Sequence, residues 1–348
     1  MFELDKILRS HLKELEPYSS ARDEFSGEAR IFLDANENAI GSAITEQYNR
    51  YPDPYQRLVK EKLAGIKKVK PDQIFLGNGS DEAIDLIIRA FCEPLEDNVI
   101  ILPPTYGMYK VSAGINNVAV VQVPLTADFN IDETALFAHI NANTKVIFIC
   151  NPNNPTGNAL SETSIIRLLE QFSGCVVVDE AYIDFASHES FTRYLDKYPN
   201  LIVMQTFSKA WGLAALRLGM AFAHTAIINV LNRIKPPYNI NGLTQEKALQ
   251  ALSNESIKNT MVASTLQERE WLIGALSELE MVQKIYPSDA NFILVRMEDP
   301  KAVYTYLIGE MVVVRDRSNV HLCEGCLRIT VGTRAENDVL AQKLRAWS

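Results

Sequence analysis

Four short stretches in a fixed order hold residues equipped for chemistry. Asn154-Pro155-Thr156-Gly157 comes first, then Asp179-Glu180-Ala181-Tyr182, then Ser208-Lys209, and last Arg217. Each follows or closes an apolar run that reads as a buried strand. Together they offer an amine, a carboxylate, an amide, a phenol and a fixed cation. A lysine at a strand's carboxyl end, in apolar surroundings, can lose its proton near neutral pH and act as a nucleophile. A carboxylate nearby could keep a ring nitrogen protonated, and arginine with a serine hydroxyl could take a phosphate.

Read singly, each motif has an ordinary explanation. Lys209 could be one more solvated lysine, Asp179 a helix cap, Tyr182 a core residue and Asn154–Gly157 a tight turn. Gly77-Asn78-Gly79-Ser80 is a weak glycine loop by itself, but backbone amides at a helix start suit a phosphate. Read together and in order, the groups are what pyridoxal 5'-phosphate needs. Lys209 supplies the amine, Asp179 the partner of the pyridine nitrogen, Asn154 and Tyr182 the donors to the ring oxygen. Ser208 and Arg217 add to the phosphate site.

The elements that must position these groups alternate. Residues 6–15 are a short helical candidate, and 58–64 and 81–91 have helical periodicity, the last with Ser80 as a plausible N-cap and Asp81 and Glu82 in the first turn. Strands are predicted at 74–76, 99–102, 118–123, 146–150, 175–178 and 201–205, with a helix at 162–172. Several of these strands are apolar throughout, as expected when both faces are covered. The pattern predicts a mostly parallel α/β sheet with the motifs beyond its carboxyl edge, where ligands bind in such sheets. From about residue 240 the texture changes. Helices are predicted at 243–252 and 257–279, and short strands at 292–295, 312–314 and 326–331. The chain divides into an N-terminal segment (1–45), a large cofactor-binding domain (46–240) and a small α+β domain (241–348).

Composition narrows the partners. The chain has 348 residues, 47% of them hydrophobic and 22% charged, with a formal net charge of -9. That argues against nucleic acid or an anionic membrane as the main partner. Five scattered cysteines do not form a disulfide framework and fit a reducing cytoplasm. Cys323-Glu324-Gly325-Cys326 lacks a second pair, so no metal is expected. No segment reads as a leader or a membrane span, and no helix-turn-helix precedes the α/β run.

The ordered set resembles the fold-type I pyridoxal-phosphate enzymes, the aspartate aminotransferase family. Leu33-Asp34-Ala35-Asn36-Glu37-Asn38, Arg50-Tyr51-Pro52-Asp53, Pro103-Pro104-Thr105-Tyr106-Gly107-Met108-Tyr109 and Cys326-Leu327-Arg328-Ile329-Thr330-Val331-Gly332-Thr333 are similar to the histidinol-phosphate aminotransferase branch. The resemblance implies a fold-type I transferase, with a mostly parallel sheet flanked by helices and a smaller α+β domain. It implies transamination between L-histidinol phosphate and 2-oxoglutarate, giving imidazole acetol phosphate and glutamate, in histidine biosynthesis. Lys209 matches the lysine that carries the cofactor, and Asp179 the pyridine partner. Asn154 and Tyr182 match the partners of the ring oxygen, and Tyr106 the aromatic that stacks on the ring. Ser208, Arg217 and the amides of Gly79, Ser80 and Asp81 match the phosphate cup. Tyr51 matches the tyrosine that reaches this phosphate from the other subunit of a homodimer. Arg328 matches the arginine for a substrate carboxylate; Tyr18 and Arg315 match the groups near the substrate phosphate. A threonine-phosphate decarboxylase or an aromatic aminotransferase would use the same cofactor residues.

Overall fold

Alternation along the apolar runs decides the core. In the computed structural model, which describes residues 2–16, 18 and 30–347, neighbouring strand residues point to opposite faces. Val176 and Val178 enter one apolar cluster, Cys175 and Val177 the other. Both faces of the sheet are therefore covered, which is why these strands lack a polar side.

The N-terminal half contributes α1 (Leu4–Ile7), α2 (Ser10–Lys13), α3 (Arg57–Lys67), β1 (Ile74–Asn78), α4 (Gly79–Phe91), β2 (Asn98–Ile101), α5 (Met108–Ile115), β3 (Ala119–Gln122), α6 (Glu133–His139), β4 (Thr144–Cys150) and α7 (Glu162–Gln171). Then come β5 (Cys175–Asp179), β6 (Leu201–Thr206), β7 (Leu218–Ala223), α8 (Thr225–Ile234) and α9 (Gly242–Leu252). The remaining elements are α10 (Glu255–Ser277), β8 (Val282–Ile285), β9 (Phe292–Met297), α11 (Pro300–Gly309), β10 (Arg315–Asp316), β11 (Cys326–Thr330) and α12 (Arg334–Trp347).

The first seven strands form one sheet in the order β1-β7-β6-β5-β4-β2-β3. All run one way except β7, which is antiparallel to both β1 and β6. Leu63, Leu136, Leu168 and Leu252, from α3, α6, α7 and α9, cover one face. Ile84, Tyr109 and Leu231, from α4, α5 and α8, cover the other, joined by Ile7, Leu8 and Leu12. The last four strands form an antiparallel sheet in the order β10-β11-β9-β8. It packs with α10, α11 and α12 around Leu276, Leu307, Ile329 and Leu344. Among the described residues no helix is long and apolar enough to cross a membrane.

The structure departs from the sequence expectations in four places. β7 is a strand that periodicity does not reveal, because Gly219 interrupts its short apolar run. The helix after β1 starts at Gly79, with Asn78 rather than Ser80 at the cap position. Asn78 is held by its Nδ2 donating to Glu82 Oε2 at 3.0 Å, which fixes the turn without a serine cap. The predicted helix around residues 6–15 is two short turns, α1 and α2. The strand predicted at 312–314 lies instead at Arg315–Asp316, since Val312 and Val314 pack sideways against the core of the small sheet.

Glu180, just past β5, is fully buried. Its carboxyl accepts from the Phe191 amide at 2.6 Å, Ser190 Oγ at 2.5 Å and Gln205 Nε2 at 2.9 Å. These donors do not offset its burial, and its pKa is pushed from 4.5 up to about 7. The folded chain therefore holds a proton that the unfolded chain releases at lower pH, and this contribution to stability is lost as pH rises from about 4.5 to about 7. Glu180→Gln removes the titration. Between pH 5 and pH 8 the unfolding free energy of Glu180→Gln should gain roughly 2–3 kcal/mol relative to wild type. Urea unfolding at the two pH values checks this; a constant difference refutes it.

Candidate active site

A cavity of about 750 Å³ opens beyond the carboxyl ends of β1, β2, β4, β5 and β6 and is closed on one side by β10 and β11. It gathers Lys209, Asp179, Asn154, Tyr182, Tyr106, Ser208, Arg217, Arg315, Arg328 and the start of α4. Most of the residues singled out from sequence therefore meet in one place.

One end is an anion cup. The Gly79 amide donates to the Arg217 carbonyl at 2.7 Å, locking the start of α4 against the start of β7. A Cβ on Gly79 would meet Arg217 Nη2 at 2.8 Å, and a Cβ on Gly219 would lie 2.2 Å from the Gly79 and Ser80 backbone. Gly219 excludes a side chain, whereas at Gly79 the Arg217 guanidinium would have to move aside. Gly79 also has a φ of +71°, which glycine adopts without strain. The α4 amides thus face the cavity with the helix dipole behind them. Arg217 Nη1 donates to Ser208 Oγ at 3.4 Å, and Arg217 Nη2 lies 3.7 Å from Asp81 Oδ2.

The other end is a buried carboxylate. Asp179 is 2% exposed at the end of β5. Its Oδ2 accepts from the Tyr109 hydroxyl at 2.6 Å and its Oδ1 from the Ala181 amide at 3.1 Å. Burial raises its pKa from 3.8 to about 6, against the pull of these two donors. A protonated ring nitrogen would restore a counter-charge there. Tyr109, buried and stacked on Phe148 with centroids 4.8 Å apart, is a functional residue that the sequence reading missed. It sat within a quoted motif, but its contact with Asp179 spans 70 positions.

Lys209 lies between the two ends, its Nζ 5.5 Å from the centre of the Tyr182 ring. Burial, then the charge of Arg328, lowers its pKa, and Asp179 opposes the shift. It remains reachable from the cavity, as a nucleophile must. Burial raises the Tyr182 hydroxyl pKa, so it stays a donor. Asn154 Nδ2 donates to that hydroxyl at 3.4 Å, so the two converge on one spot. Arg328 Nη1 donates to Asn154 Oδ1 at 2.5 Å, which ties the small sheet to the large one. The Asp289 amide, donating to the Gly157 carbonyl at 2.7 Å, does the same.

Three tyrosines expected at the site differ in where they lie. Tyr106 lines the cavity but directs its hydroxyl to Asp81 Oδ1 at 3.1 Å. Tyr51 is not in this cavity; it stacks on Tyr238, centroids 4.4 Å apart, and its amide donates to Glu37 Oε1 at 2.6 Å. Tyr18 lines a separate cleft with Arg9 and Arg233, while the adjoining Pro17 and residues 19–22 lie outside the described residues. The cup, the buried carboxylate and the amine between them match a phosphate, a ring nitrogen and an aldehyde carbon, so the donor set fits pyridoxal phosphate.

Tyr109→Phe should keep the fold, because the ring still stacks on Phe148. It removes a donor to the charged carboxylate, so the pKa of Asp179 rises further. A hydrogen bond to a charged group is worth about 1.5–3 kcal/mol, so the acidic limb of kcat/KM should move up by roughly one to two pH units. An unmoved pH profile would count against this link.

Comparison with known proteins agrees. The family model of aminotransferase class I and II matches residues 24–344. A histidinol-phosphate aminotransferase of Cytophaga hutchinsonii is 60% identical over 346 residues, covering 99% of each chain. One from Parabacteroides distasonis is 52% identical, again over 99% of each chain. The crystal structure of the histidinol-phosphate aminotransferase from Clostridium acetobutylicum superposes with a TM-score of 0.80 at 25% identity, over 86% of this chain and 91% of that one. The chain belongs to the class I and II aminotransferases, in the branch of the histidinol-phosphate aminotransferases.

Proposed function

We propose that this protein transfers an amino group between L-histidinol phosphate and 2-oxoglutarate, as a step of histidine biosynthesis in the cytoplasm. The observation that carries the reading is a single cavity with a phosphate cup at one end, a buried carboxylate at the other, and arginines on the facing small sheet.

When bound, pyridoxal phosphate supplies an electron sink for an amino acid's α-carbon. The amides of Ser80 and Asp81, with Ser208 and Arg217, would hold its phosphate; the Gly79 amide, expected in the cup from sequence, is instead taken by the Arg217 carbonyl. Asp179, positioned by Tyr109, would keep its ring nitrogen protonated. Asn154 and Tyr182 would bind its ring oxygen, and Tyr106 would face the ring. Lys209 would hold the cofactor and, once a substrate amine takes its place, carry the proton to and from the substrate's α-carbon. Its lowered pKa suits that exchange. Arg328, beside Asn154, suits an α-carboxylate, and Arg315 suits a phosphate or a distal carboxylate; Tyr18, in its separate cleft, would serve such an anion only at another subunit's cavity. The proposed division at residues 45 and 240 leaves α9 packed on the large sheet through Leu252.

Mixing the holoenzyme with L-histidinol phosphate alone should convert the cofactor spectrum from the aldehyde-derived to the amine form, and 2-oxoglutarate should restore it. Silence toward this donor, with carbon dioxide released from a phosphorylated amino acid, would replace the transaminase by a decarboxylase.

Tyr51 is half exposed, at 51%, on a surface away from its own cavity. In a homodimer with shared sites it would reach the neighbour's cofactor phosphate. Tyr51→Ala and Lys209→Ala chains, each nearly inactive, should regain up to about a quarter of wild-type activity when mixed and re-equilibrated, since one site in each mixed dimer is intact. No recovery in a sample shown to contain mixed dimers would refute the shared site.

A further inference from the structure

The ribbon that carries Arg315 and Arg328 holds a third arginine on the same side. Arg315 stands directly opposite Arg328 in the β10–β11 pair. The Arg317 amide continues the ladder by donating to the Cys326 carbonyl at 3.0 Å. Residues two apart on a strand share a face, and directly paired residues share one too. Arg315, Arg317 and Arg328 therefore present one face, and all three line the cavity.

Like charges opposed across a ribbon are destabilising. Asp316 relieves them only in part. Asp316 Oδ1 is taken by the Ser318 amide at 2.8 Å and the Ser318 hydroxyl at 2.5 Å. Among the described residues the acids that line the cavity are Asp81, beside Arg217, and Asp179, beside Tyr109. The Nε atoms of Arg317 and Arg328 are buried with no hydrogen-bond partner. Buried donors ordinarily have acceptors, so these two await one. Burial, then the charges of Arg328 and Arg315, lowers the Arg317 pKa, and Cys323 and Asp316 oppose the shift.

Position divides the three. Arg328 reaches Asn154, at the reacting end. Arg315 and Arg317 lie along the other strand of the ribbon and suit the far end of a substrate. We propose that Arg317 is a specificity-determining residue that grips, together with Arg315, the phosphate of the amino donor. A phosphate dianion has oxygens enough for two guanidinium forks. This rests on the proposed reaction above, which names a phosphorylated donor.

Arg317→Gln should lower kcat/KM for L-histidinol phosphate about 100-fold, chiefly through KM, as expected for loss of one charge-assisted contact. The loss on unphosphorylated L-histidinol should be at least tenfold smaller, and Arg317→Lys should recover part of the difference. Calorimetric titration of the holoenzyme with inorganic phosphate gives a second readout, with the cofactor's own cup already filled. Arg317→Gln should bind phosphate at least tenfold more weakly than wild type. Equal losses on the two donors, or unchanged phosphate affinity, would overturn the assignment. If wild type fails to use L-histidinol phosphate, the proposed reaction falls instead, and the phosphate titration still decides the role of Arg317.

Discussion

The site depends on one backbone contact, the approach of the first turn of α4 to the first residues of β7. The Gly79 amide bonds the Arg217 carbonyl at 2.7 Å, and Gly219 leaves no room for a side chain between the two segments. That contact aims the helix amides at the cavity. It also fixes Arg217, whose backbone is left-handed at φ +51°, so that its guanidinium reaches both Ser208 and Asp81. Because β7 runs against its neighbours, the chain leaving β6 at Thr206 must turn back within the loop that carries Lys209. The amine and the cup are thus held within one short loop.

Burial then sets the chemistry. Asp179 and Lys209 both lose water, which weakens the charged form of each, and each opposes the other's shift. Tyr109 matters because it keeps the carboxylate ionisable in a place where burial alone would protonate it. Glu180, one residue on, takes no part in the cavity yet meets a similar penalty. Its three donors anchor the loop at Phe191 rather than a ligand.

The second lobe brings the opposite problem, excess positive charge. Arg328 crosses to Asn154, so the position of the small sheet is coupled to the loop that would bind the ring oxygen. Substrate anions that satisfy this face would also hold the two lobes together. A site built this way favours substrates carrying two negative charges over those carrying one.

The sequence by itself determined a good deal. Apolar runs such as Cys175–Val178, each ending at a polar motif, identified the buried strands and the edge where the site would form. Lys209, Asp179, Asn154, Tyr182 and Arg217 were legible because chemistry demands those residue types close after strand ends, which is local information. What the sequence did not reveal depends on contacts between distant segments. β7 was hidden because a glycine that permits close approach looks like a turn. Tyr109 meets Asp179 only through the packing of α5 on the sheet. Arg317 shares a face with Arg328 only through antiparallel register, which the loop between them does not announce. Tyr51 and Tyr18 were legible as motif residues, but side-chain type fixes only what a group can do, and packing between distant segments fixes what it can reach.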